Sequence, residues 1–206
     1  NGQNSGWIVI TFGWAMAVFI GVFTSVKLGG SGHLNPAVTI ALAVTGKFSS
    51  SLVGTYLLAQ LAGAFTGAVV VWLTYHSHFE ITEDPDLKKA IFCTAPGIRK
   101  PLNNVFTEFI GTFILMFGAL SFTDSASSMG TLNALPVALL VLGIGLSLGG
   151  PTGYAINPAR DLGPRIAHFI LPIKGKRDSD WGYSWVPIVG PILGAILAAV
   201  VFKQLN

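Results

Sequence analysis

Three runs of this chain, 5–26, 51–75 and 181–202, contain no Asp, Glu, Lys or Arg, and each is at least 22 residues long. About 20 apolar residues are enough for a helix to cross the hydrocarbon of a bilayer. Backbone groups at that depth find no water, so a span must satisfy its own hydrogen bonds and does so as a helix. These runs predict an all-α integral membrane fold. Composition agrees: the chain is 51% hydrophobic and 10% charged, whereas soluble domains carry about 25% charged residues. The net charge of +3 is spread over several loops without a basic stripe, so the bilayer is a partner and nucleic acid is not. The single cysteine, Cys93, has no partner for an internal disulfide.

Five full spans are predicted, at about 7–27, 51–75, 103–122, 133–149 and 181–202. Two apolar stretches between them, about 35–46 and 157–169, are too short to cross and too apolar for water. Each opens on the same tripeptide, Asn35-Pro36-Ala37 and Asn157-Pro158-Ala159. Proline suits the first turn of a helix, where its missing N–H costs no bond, and asparagine suits the N-cap. Glycines crowd both approaches: Gly29, Gly30 and Gly32 before the first, Gly149, Gly150 and Gly153 before the second. The pattern predicts two re-entrant loops, each an extended approach followed by a half-helix. Such irregular backbone is tolerated at membrane depth only where it is buried in protein or lines a cavity.

A further echo, Ala59-Gln60-Leu61-Ala62-Gly63-Ala64 against Gly190-Pro191-Ile192-Leu193-Gly194-Ala195, follows each half-helix by about one loop. Interrupted segments at matching positions of two halves mark an inverted repeat with its site between them. One domain is expected over 1–206, with half-repeats 1–101 and 102–206. The second half holds three spans and the first two, so a helix preceding residue 1 is expected.

The loops Ser31-Gly32-His33-Leu34-Asn35-Pro36-Ala37-Val38-Thr39 and Gly153-Tyr154-Ala155-Ile156-Asn157-Pro158-Ala159-Arg160-Asp161 resemble the paired signatures of the aquaporin superfamily. Thr107-Glu108-Phe109-Ile110-Gly111-Thr112 resembles the element that opens each half in that family. The resemblance implies that the half-helices meet end to end at the membrane centre. It also implies that Asn35, Pro36, Ala37, Asn157, Pro158 and Ala159 line a pore, and that Arg160 belongs to a selectivity filter.

In the water-selective members a histidine stands twelve residues before the second signature asparagine; here that residue is Gly145. Tyr154 stands where glycerol facilitators carry an aromatic residue, usually phenylalanine, and Trp14 resembles their tryptophan. Trp14 lies 21 residues before Asn35 rather than the usual 20, so either the loop has one extra residue, as preferred here, or Ala15 takes the place. Asp161, Arg165 and Pro187-Ile188 follow the aquaglyceroporin pattern.

The implied function is a passive channel for glycerol, other small uncharged solutes and water, excluding ions and protons. It would be a homotetramer in the plasma membrane, multi-pass, without a cofactor or metal. The near alternative is a water-selective aquaporin, and the more distant one an ion-coupled transporter. Against the transporter stands the shortage of carboxylates inside spans, where only Glu108 lies deep. Enzyme chemistry is not expected, since no nucleophile–base pair or metal set falls at membrane depth.

Glu108 is expected to accept hydrogen bonds from the second re-entrant loop, with a proton relay as the other reading. His33 and Asp161 are expected to support the pore loops, although His33 would also suit a pH gate. His76, His78 and Glu80 read as a solvated loop rather than a metal cluster. With family topology, Lys27, Lys47 and Lys203 face the cytoplasm and nine Lys and Arg face outward. That is opposite to the usual positive-inside bias.

Overall fold

A computed structural model of the chain describes the backbone of residues 6–205 and all their side chains except 123–127. All the regular secondary structure in this range is helical. Five helices are long and apolar enough to cross a membrane: α1 (Gly6–Lys27), α3 (Ser50–Thr74), α6 (Pro101–Ser127), α7 (Leu135–Thr152) and α9 (Val186–Leu205). The two half-helices are α2 (Pro36–Val44) and α8 (Pro158–Ile170), and two short helices, α4 (His76–Ile81) and α5 (Pro85–Ala90), lie between α3 and α6.

The packing exchanges partners between the halves. Half-helix α2 packs chiefly on α9, half-helix α8 chiefly on α3, and α1 crosses α7. Each half-helix thus rests on the span that follows the other one. Small residues permit the closest contacts. A Cβ on Gly194 would overlap the Phe109 carbonyl oxygen, and one on Gly190 would lie 2.7 Å from Glu108 Cβ, so α9 meets α6 backbone to backbone. Gly163 of α8 meets Ala64 and the backbone of α3 in the same way. Such contacts replace the hydrophobic driving force that a lipid solvent does not supply.

Two of the boundaries that differ from the sequence prediction have a local cause. Helix α7 runs through Gly149, Gly150 and Pro151 and stops at Gly153, whose φ of 75° is left-handed and whose N–H caps Gly149 O. The glycine pair therefore belongs to a helix, and the irregular approach is confined to 153–157. Helix α9 begins at Val186, after a 3₁₀ turn over Trp181–Tyr183 entered through Asp180 at φ 51°. Pro187 has no N–H to give a preceding turn, so the apolar run is bent at its start. In the 76–100 connection the expected loop is partly helical. His76 and Glu80 face each other at 3.6 Å across one exposed turn of α4, and no group of three metal-ligating side chains occurs among the described residues.

Candidate pore and selectivity filter

Each signature asparagine caps its own half-helix and clasps the other. Asn35, extended at φ −144° and ψ 117°, accepts the Ala37 N–H through Oδ1, while Asn157, at φ −158° and ψ 110°, accepts those of Ala159 and Arg160. Their amide nitrogens donate across the junction: Asn35 Nδ2 to Ile156 O at 2.7 Å and Asn157 Nδ2 to Leu34 O at 2.9 Å. The two N-termini are held together by reciprocal bonds. An amide NH₂ carries two hydrogens, so each asparagine keeps one donor beyond the clasp. The helix N-termini add about half a positive charge each at this point. Pro36 and Pro158 take the first helical positions, and Ala37 and Ala159 are buried behind them.

The loop entering α8 is strained. Tyr154 at φ 38° and Ile156 at φ 43° are left-handed without being glycine, a conformation that costs about 1–3 kcal/mol for each such residue. Glu108, 1% exposed, offsets this by accepting the Ala155 N–H at 2.9 Å and the Ile156 N–H at 2.7 Å. Those N–H groups would otherwise be buried without partners. The carboxylate is occupied as an acceptor for the loop backbone.

Asp161 performs a comparable role one turn into α8. Its Oδ1 accepts Thr94 N and Oγ1 at 2.8 and 2.6 Å, and both oxygens accept the Arg165 guanidinium at 2.7–2.9 Å. Arg165 directs its remaining N–H groups to the carbonyls of Ser179, Asp180 and Thr94, so all five donors are used. The pair is wholly buried. At the other end of α8, Lys176 Nζ donates to the carbonyls of His168, Phe169 and Leu171 at 2.5–2.8 Å, closing the helix C-terminus with a positive charge.

His33 lies edge-on to Phe48 with ring centroids 4.9 Å apart and beside Tyr56 at 5.7 Å, while its carbonyl accepts Gln60 Nε2. Tyr56 and Gln60 thus brace the first loop from α3.

Arg160, Trp14, Tyr154 and Gly145 come together beyond the asparagines. The Arg160 guanidinium stands 4.1 Å from the centre of the Trp14 ring. Ala15 is completely buried, so of the two candidates Trp14 is the residue at the arginine. Tyr154 is 4% exposed and lies against α7 where side chains are missing: a Cβ on Gly145 would sit 2.9 Å from Tyr154 Cζ and from Thr11 Cγ2, and one on Gly149 would sit 2.8 Å from Tyr154 Cδ1. Sequence reasoning missed two participants here, Trp7 and Thr11, although both fall on the Trp14 face at helical spacing, seven and three residues earlier. Trp7 Nε1 donates to Gly145 O at 2.9 Å.

Two half-helices clasped N-terminus to N-terminus within a bundle of spans, next to a guanidinium and aromatic rings, define an integral membrane channel of the re-entrant type. The chain belongs to the major intrinsic protein family, whose pattern it matches over residues 1–202. It is 57% identical to the probable glycerol uptake facilitator protein of Thermotoga maritima over 204 residues, 99% of this chain and 86% of that one. It is 53% identical to glycerol uptake facilitator protein 3 of Lactiplantibacillus plantarum, covering 98% of this chain and 84% of that one. Among solved structures it is similar to the aquaglyceroporin from Plasmodium falciparum, with a TM-score of 0.88 at 33% identity, over 99% of this chain and 84% of that one.

Proposed function

We propose that this channel passes glycerol and other small uncharged solutes, together with water, by passive diffusion and excludes ions and protons. The observation that carries the reading is the constriction itself. Arg160 lies over Trp14, Tyr154 occupies the glycine face of α7, and position 145 has no side chain. A polyol has a hydroxyl edge and a carbon edge. Arg160 is a planar donor for the first, and the two rings are apolar walls for the second. The donors of Asn35 and Asn157 receive the solute oxygens further in. A cation meets Arg160 and then two helix N-termini, all positive, in a site that offers it little hydration.

The residues proposed to line the path are Trp14, Gly145, Tyr154 and Arg160 at the filter and Asn35 and Asn157 at the junction, with Pro36, Ala37, Pro158 and Ala159 starting the half-helices behind them. Glu108, His33 and Asp161 hold the loops that present them. The chain is proposed to act in the cell membrane as one domain of two half-repeats, 1–101 and 102–206. It is proposed to assemble as a homotetramer, for which the open small-residue face of α3 at Gly63 and Gly67 offers a surface for close helix contact. Gently solubilised protein found only as a monomer would contradict the assembly.

The functional reading is tested in proteoliposomes. An imposed glycerol gradient should drive reswelling well above that of protein-free vesicles, while a trapped pH dye shows no added proton leak. Reswelling at the protein-free rate, or a channel-dependent proton leak, would refute it.

A further inference from the structure

Tyr154 is held in an unusual way. Its backbone is in the left-handed region at φ 38°, and its hydroxyl, though buried, has no hydrogen-bond partner among the described residues. No polar tether fixes the far end of the ring, so its position rests on packing. On one side the packing is the shelf made by Gly145 and Gly149. Across the shelf stands Trp7. Its indole meets the Tyr154 ring edge-on, with centroids 5.7 Å apart at 78°, and its Cζ2 occupies the space that a Cβ on Gly149 would need. Trp7 is itself fixed, because its Nε1 donates to the carbonyl of Gly145, the residue beneath Tyr154.

One bond therefore ties together the start of α1, the shelf of α7 and the ring of the re-entrant loop. The same indole lines, with Leu146, Gly149 and Gly153, a cavity of about 600 Å³ that reaches the 95–97 loop. Space lies beside the indole into which a released ring has room to move. Trp7 and Trp14 are seven residues apart on α1, about 10 Å along its axis, and so on nearly the same face. Trp14 reaches Arg160 directly, while Trp7 acts through Tyr154.

We propose that Trp7 is a positioning residue of the constriction: it pins the Tyr154 ring on its glycine shelf and thereby sets the largest polyol the channel admits. The inference rests on the glycerol-channel reading above. With the indole removed, the ring is free to swing toward the cavity, and the aperture between Tyr154, Trp14 and Arg160 widens. Longer polyols gain most, because they are the solutes the rigid aperture rejects.

The test is the ratio of five-carbon polyol flux to glycerol flux in proteoliposomes of the full chain. This ratio does not depend on how much channel is folded. Trp7→Ala should raise it about tenfold, and Trp7→Phe, which keeps a ring but loses the N–H tether, about threefold. A merely structural tryptophan would lower both fluxes together and leave the ratio in place. If Trp7→Ala fails to fold, Trp7→Phe decides alone. A ratio unchanged or lowered in a variant that still conducts glycerol would overturn the proposal. A wild-type channel that conducts no glycerol would overturn the functional reading beneath it as well.

Discussion

At Gly145 the lack of a side chain is a packing requirement as well as an opening. A Cβ there would press on Tyr154 and Thr11 at 2.9 Å, so even alanine must move the ring. The absence of a histidine was legible in the sequence, and so was the arginine three residues after Asn157. The bond from Trp7 to the Gly145 carbonyl was not, because an indole pairing with a helical carbonyl 138 residues away leaves no local pattern. Cys93 illustrates the same limit. In the sequence it is a lone thiol, but the fold leaves it 3% exposed beside Phe92 in the cluster under α8. Burial pushes its pKa up to about 12. The thiolate is the reactive form, so the native protein should react with a maleimide at neutral pH far more slowly than the denatured protein. Equal labelling rates by mass spectrometry would contradict this burial.

At the scale of elements, both half-helices start where the Asn-Pro pairs place them, because cap and first turn are specified by adjacent residues. The end of α7 was misplaced, since Gly-Gly-Pro reads as a breaker, although a last turn tolerates it when a left-handed glycine follows. Helices α4 and α5 had no apolar periodicity to reveal them. The seat of α8 depends on Arg165, whose type matched a family pattern while its five bonds emerged only in the fold. Arg165→Met should leave the Asp161 carboxylate buried and unpaired, at a cost of about 3–5 kcal/mol. Its thermal midpoint in detergent should fall clearly. The double variant Asp161→Asn with Arg165→Met should be less destabilised than the single one, because no charge remains buried. A double variant as unstable as the sum of the two single changes would show that the pair is not coupled.

Over the whole molecule, the excess of positive charge on the side of the 76–100 and 171–185 loops has a structural use. Lys88 donates to Lys174 O, Lys89 and Arg177 pair with Asp86, Arg99 with Asp180, and Lys176 closes α8. These cations fasten the loops over the half-helix, which explains a charge distribution that the positive-inside bias alone does not. The two half-helices were foreshadowed by the doubled motif, whereas the fastening involves carbonyls and had no signature. Both arrangements bear on the proposed constriction, at which a carbon edge and a hydroxyl edge would be recognised together. Gly145→His tests that claim most directly, through the glycerol-to-water permeability ratio measured by stopped-flow light scattering on proteoliposomes. The imidazole displaces the Tyr154 ring and puts a polar edge where the carbon chain passes, while water is small enough to be less affected. A loss of about 1.4 kcal/mol for glycerol at the constriction lowers the ratio about tenfold, with Gly145→Ala intermediate. A folded, water-conducting Gly145→His channel with the wild-type ratio would contradict the placement of the filter.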